Sequence, residues 1–327
     1  MIDVANIIDA DIILTHRDIW VDDPENSKNF PTASWFPIDH EPVGEHLMER
    51  FKTTRWLATM SRRGVDLIAN AGYKAHYIPH SVDGSVYKYR RSPELRKKLF
   101  GNAIPDDAYL IFIVAANKGF PSRKGYPEMF EAVARFMQFR PDAYLYVHAL
   151  ITEEEGGPNL LKLAKAVGID ENRFQHLNPV AYHWGLDEEE MAEFYQAADV
   201  LLNCSYGEGF GIPILEAQAC GTPVITTDFS SMPEITWYGY TVGGRRMMTA
   251  HYAYWLQPDI QEIVSRLEEV YMQRGSEAFL QHGKRVADMI AKEWTDDAVF
   301  HRYWRPFLGS IQADLALLRG KQMVFAG

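Results

Sequence analysis

The strongest constraint on this chain is a rhythm: short runs of β-branched and aromatic residues, then polar or glycine-containing turns, then amphipathic stretches with helical spacing. Strands that alternate with helices pair in parallel, because each crossover returns the chain to the same end of the sheet, and such sheets are covered on both faces. The N-terminal runs are 11–15, 33–38, 55–60 and 75–78, and all four read as strands, the first of them buried. Ser61 stands where a helix running to Ala71 needs its N-cap. The basic, proline-containing stretch 88–93 reads as a linker. The rhythm resumes with strands at 110–114, 143–147, 173–177, 200–203 and 223–226, the last closing the series. Helices fall at 127–139, 160–167 and 188–197 and from Ile212, and 260–318 reads as successive helices. At 327 residues the chain has room for about two domains, divided as 1–93 and 94–295, with terminal helices over 296–327.

Charge and composition remove several function classes. With 33 Lys and Arg against 44 Asp and Glu, the net charge of −11 argues against nucleic acid or an anionic membrane held by bulk charge. Cys204 and Cys220 form neither a CxxC pair nor a disulfide framework, which fits a reducing, cytoplasmic setting. The longest apolar run, 109–116, is far short of the ~18–20 residues that span a bilayer. The first residues lack the basic-then-apolar pattern of a signal peptide.

Two α/β units place a ligand in the cleft outside the carboxyl ends of their strands, so the loops after the strands at 114 and 203 are where chemistry belongs. The second loop is Ser205-Tyr-Gly-Glu-Gly-Phe-Gly-Ile-Pro, with Gly207, Gly209 and Gly211 opening a helix. Glycines there let backbone N–H groups approach an anion at a positive helix end. It is not a dinucleotide fingerprint, since G-x-G-x-x-G would need glycine where Ile212 stands. Glu208 lies in the loop and Glu216 eight positions on; alone, the pair reads equally well as two solvated acids. The first loop, Lys118-Gly-Phe-Pro-Ser-Arg-Lys124-Gly125, reads alone as solvated, but beside a strand end facing Glu208 it suits a phosphate. Arg123 is expected to point away, because neighbouring side chains diverge. Asp22-Asp23 read as solvated acids, with no metal expected.

The stretch EGFGIPILEAQACGTPVI resembles the E-x7-E signature of retaining glycosyltransferases of the family-four, or group 1, type, with Glu208 and Glu216 matching its acids. The basic loop, YIPHSVD at 77–83 (Ser81 in place of the usual Gly) and FSSMPEI at 229–235 are similar to further family elements in the same order. The resemblance runs over roughly 11–307. It implies the GT-B fold, two Rossmann-like domains facing across a cleft, with the terminal helices crossing back to the first. It implies a nucleoside diphosphate sugar as donor, no cofactor and no metal, and transfer with retention. Lys118 and Lys124 would hold the diphosphate, and Glu208 would contact the transferred sugar. Gly209, Phe210, Gly211 and Ile212 would line the donor site, Glu216 would take the ribose hydroxyls, and Pro179 and Val180 would meet the base. Asp39 or His40 matches the family's N-terminal histidine position, with His16 as a rival. The acceptor is open among sugar, lipid-linked and protein hydroxyls, and a lipid-linked one would bring the chain to the membrane periphery.

The first domain is short for that family and lacks its N-terminal Gly-rich loop. A homodimer or a partner chain that completes the domain is one expectation, and a non-catalytic nucleotide-sugar-binding or regulatory subunit is the rival function. A sugar phosphorylase or synthase of similar architecture is a third.

Overall fold

The computed structural model describes residues 1–90, 92–119 and 121–325; Arg91 of the expected linker and Phe120 of the basic loop lie outside them. The first sheet holds β1 (Ile13–His16), β2 (Thr32–Phe36), β3 (Trp56–Thr59) and β4 (Ala75–Tyr77), all parallel and in sequential order. The period of two along the strands sorts their side chains between two layers. Phe36 and Leu57 face one way, onto Leu47 and Phe51 of helix Glu45–Phe51 and Leu67 and Ile68 of helix Arg62–Asn70. Ala33, Trp56 and Ala58 face the other way, onto Phe307 and Ile311 of the terminal helix Arg305–Phe325. That helix is further tied to the sheet by the Trp56 indole N–H, which donates to Asp314 at 2.9 Å. Ser61 caps helix Arg62–Asn70 by accepting from the Gly64 N–H at 2.9 Å, an arrangement worth about 1 kcal/mol.

One expectation about this sheet fails. β1 is an edge strand rather than a buried one: Leu14 is exposed and only Thr15 is buried, held by Ser34 and Asp22. Of the two adjacent acids, Asp22 takes hydrogen bonds from Thr15 and Arg17, and Asp23 caps helix Pro24–Asn29.

The second sheet holds β5 (Tyr109–Val114), β6 (Ala143–His148), β7 (Phe174–His176), β8 (Val200–Asn203), β9 (Val224–Thr227) and β10 (Gly239–Val242). All are parallel, in the order β10-β9-β8-β5-β6-β7. The chain therefore winds outward from β5 through β7, then restarts at β8 on the other side of β5. Loops leaving β5 and β8 diverge to opposite faces and open a crevice between them.

The series does not close at 226. β10 extends it, and an antiparallel hairpin, β11 (Gly244–Met248) and β12 (Tyr254–Pro258), follows. The hairpin carries few β-branched residues, which is why no strand is legible there. It reaches the first domain, where Tyr254 and Glu41 exchange backbone hydrogen bonds of 2.7 and 3.1 Å. Glu41 also pairs with Arg246 of β11 at 2.8 Å and with Arg63. Glu234 of the second domain accepts from the backbone N–H groups of Arg62 and Arg63, at a helix N-terminus where a carboxylate is favoured. No helix among the described residues is long and apolar enough to cross a membrane.

Candidate functional site

A cleft of about 730 Å³ lies between the domains, walled by the loops after β5 and β8 on one side and the loops after β1, β2, β3 and β4 on the other. The glycine loop is pressed against the opposite domain. A Cβ on Gly207 would overlap the Asp39 carbonyl, and one on Gly209 would overlap Pro37. These glycines thus serve domain contact as well as any approach to an anion. Gly211 takes a left-handed backbone, φ +100°, to start helix Ile212–Ala219. Ser231 Oγ fastens the loop by donating to the carbonyls of Glu208 and Phe210 at 2.8 and 2.9 Å, while Ser230 Oγ accepts from the Glu208 N–H at 2.9 Å.

Glu208 is 7% exposed and is the hub of the site. Its carboxylate accepts from Lys124 Nζ at 2.6 Å and meets Arg123 at 3.2 Å. Burial alone would raise its pKa. The charges of Lys124 and Arg123, with hydrogen bonds from Lys124 and Ser205, more than reverse this and hold it down to about 2. Arg123 goes on to the Gly207 carbonyl and, at 3.3 Å, to Asp39. Asp39 accepts from His40 Nδ1 at 2.8 Å. Burial opposes the Asp39 charge too, but the His40 hydrogen bond and Arg123 outweigh it, and its pKa falls below the usual range.

The structure brings together Glu208, Lys124, Asp39, His40, Gly209, Phe210, Gly211 and Ile212, all lining the one cleft. It does not bring Lys118 to them. That side chain is 64% exposed and paired with Glu155 at 3.2 Å, because the start of the loop bridges to Gly156 on the far side of β5. Arg123 occupies the position beside Lys124 instead: the turn before Gly125 lets both cations fold onto Glu208, so their side chains converge. Glu216 also turns from the cleft and accepts from Tyr195 at 2.6 Å and from Tyr87; burial raises its pKa. Pro179 and Val180 start a short helix, Pro179–Trp184, capped by Asn178; Val180 points to solvent, and Tyr182, one turn on, lines the cleft. His16 stacks on Trp35 at 4.3 Å.

Sequence reasoning passed over several cleft residues. His80 of the interdomain turn packs between Trp35 and Phe210, and burial, with His16 nearby, lowers its pKa to about 4. His148, at the end of β6, is held near 4 by burial, and its Nδ1 is buried without a hydrogen-bond partner. Asp18 and Trp20 after β1, and His251 and Trp255 of the hairpin, complete the other end. The signal for His80 was its place within YIPHSVD; the hairpin residues carried none.

Residues 96–241 match the sequence profile of the family described as Glycosyl transferases group 1. A D-inositol 3-phosphate glycosyltransferase of Pseudarthrobacter chlorophenolicus is 30% identical over 206 residues, 61% of this chain and 45% of that protein. The enzyme of the same name from Arthrobacter sp. strain FB24 is 28% identical over 193 residues, 58% of this chain and 42% of its own length. The chain thus spans less than half of these curated relatives. Among solved structures, sucrose-phosphate synthase from Thermosynechococcus elongatus superposes with a TM-score of 0.70 at 16% identity, covering 97% of this chain and 76% of that one. Anabaena HepE, solved with UDP and glucose, gives 0.68 at 16% identity over 94% of this chain and 81% of its own. These likenesses give the fold as GT-B. The profile match covers less than half of this chain, and over that span, with its glycine loop, the chain is similar to the group 1 glycosyltransferases.

Proposed function

We propose that the protein transfers a sugar from a nucleoside diphosphate donor to an acceptor hydroxyl, with retention and without a metal. The observation that carries this reading is the convergence of Lys124 and Arg123 on Glu208, in the loop that opens helix Ile212–Ala219, with all of them lining one cleft. Two fixed cations and a helix N-terminus form a preorganised sink for the charge that gathers on a diphosphate as the bond to the sugar breaks. They supply from the protein the positive charge that a metal supplies elsewhere. The UDP in the HepE structure supports the donor class.

Glu208 has a different task from a general base. A carboxylate held near pKa 2 by two cations has little affinity for a proton or an anomeric carbon. It suits holding Lys124 and Arg123 in place and receiving a hydroxyl of the donor sugar. The leaving phosphate then takes the acceptor proton as the acceptor oxygen bonds to C1 on the face the phosphate leaves, which retains configuration. His148, with its free buried nitrogen, and Tyr182 stand at the far end of the second-domain wall and suit the nucleobase.

A thermal-shift screen against UDP-, GDP- and ADP-sugars tests the reading, since a ligand that binds only the folded chain at a hundred times its Kd stabilises it by about 2.7 kcal/mol. One base series should raise the melting temperature, and anomer-resolved NMR of the product should show retention. No shift with any donor, and no donor turnover, would reject the assignment.

A further inference from the structure

The acceptor half of the cleft differs in chemistry from the donor half. Its walls come from the loops after β1 and β2 and from the hairpin, which contribute Asp18, Trp20, Asp39, His46, His251 and Trp255. Two of these are carboxylates whose charges bear on one another, and burial with Asp39 nearby raises the pKa of Asp18. The cations lining the cleft are Arg123 and Lys124; both are engaged with Glu208, and Arg123 is shared with Asp39 at 3.3 Å. His46 stacks on His251 at 4.2 Å and near His40 at 5.7 Å. Burial, followed by the repulsion of those two neighbours, lowers its pKa, so it brings no fixed positive charge.

From this arrangement we infer that, granted the glycosyltransferase reading above, the acceptor is an uncharged polyhydroxylated ring, a free or linked saccharide or polyol, and carries no phosphate near the reacting hydroxyl. Carboxylates accept hydrogen bonds from ring hydroxyls, and indole faces receive the apolar face of a sugar. The Trp255 indole N–H and His40 Nε2 are buried without partners at this end and supply further polar contacts. A phosphate ester would meet Asp18 and Asp39 and find there only Arg123, already held by Glu208, Asp39 and the Gly207 carbonyl, next to a donor that brings its own diphosphate. The curated relatives, by contrast, are named for D-inositol 3-phosphate. Trp255 enters the cleft on a segment outside the profile-matched span.

The test uses the full chain with whichever donor stabilises it, and acceptor pairs that differ by one phosphate: glucose and glucose 6-phosphate, mannose and mannose 6-phosphate, myo-inositol and inositol 3-phosphate. Product formation and donor hydrolysis are followed separately. In each productive pair the neutral member should react at least tenfold faster. Asp18→Lys should shift the ratio at least tenfold toward the phosphate ester. A phosphate ester that is the better acceptor, an unchanged ratio in Asp18→Lys, or donor hydrolysis with no neutral member glycosylated would each overturn the inference. Absence of both donor binding and hydrolysis would instead overturn the glycosyltransferase reading.

Discussion

The two walls of the cleft are built by different rules. The second-domain wall comes mainly from two short continuous stretches, the loops after β5 and β8, placed side by side because those strands are neighbours where the winding reverses, with His148 and Tyr182 beyond them. The first-domain wall is gathered from the loops after all four strands of its sheet, and the hairpin, far along the chain from them, reaches over to join it. One wall concentrates fixed positive charge and a helix end; the other offers acids, indoles and imidazoles. A contiguous wall can keep its chemistry while the rest of the chain varies. A dispersed wall changes with every loop that feeds it, which suits the acceptor role proposed for it.

The largest test of that contrast lies at Glu208. Glu208→Gln should lower kcat by about a thousandfold, because Lys124 and Arg123 lose the carboxylate that positions them. Initial rates of product formation, with circular dichroism to confirm folding, measure this. Turnover within tenfold of the parent protein would mean the hub is structural only. Lys124→Ala should cost somewhat less, about a hundredfold, and should weaken nucleoside diphosphate binding as read by calorimetry. Acceptor KM should stay nearly constant, since the lysine belongs to the donor wall.

How much of this was legible depended on locality. The strands of both sheets except β10 showed in the sequence because period and turn chemistry act within a few residues, and Glu208 and Lys124 showed because each sits in a short loop after a recognisable strand. Lys118 and Glu216 fit the spacing of the pattern, but spacing does not fix direction. The bridge to Gly156 carries Lys118 away, and the phenols of Tyr195 and Tyr87 draw Glu216 from the cleft. Arg123 was discounted on the rule that adjacent side chains diverge, which holds in a strand but not in the turn before Gly125. Trp255 and His251 depend on Glu41 pairing with Tyr254, a contact across more than 200 positions that no local pattern announces.

The neutral imidazoles provide a smaller, pH-dependent test. Unfolded, His148 takes up its proton near pH 6.5; folded, not until about pH 4. Between those values the unfolded chain binds more protons, so stability falls as pH drops from about 7 toward 4, by on the order of 3 kcal/mol for this group. His80 acts in the same direction over the same window. Glu208 adds its loss only lower, as pH falls from about 4.5 toward 2. Thermal unfolding of His148→Gln should show a shallower decline between pH 6.5 and 4 than the parent chain. Parallel curves would mean the His148 ring is solvated.

The smallest expected effect bears most directly on which cations form the donor wall. Lys118 and Lys124 belong to one loop, and by sequence either could reach a diphosphate. In the structure one is half-buried against Glu208 and the other forms an exposed pair with Glu155, a kind of contact worth about 0–1 kcal/mol. Lys118→Ala should therefore change kcat/KM by less than about twofold and leave the melting temperature nearly unchanged, beside the hundredfold loss in Lys124→Ala. Were the two losses comparable, the loop would have to rearrange around the donor and draw Lys118 away from Glu155. The donor wall would then be completed by its substrate rather than preformed, and its contrast with the acceptor wall would narrow.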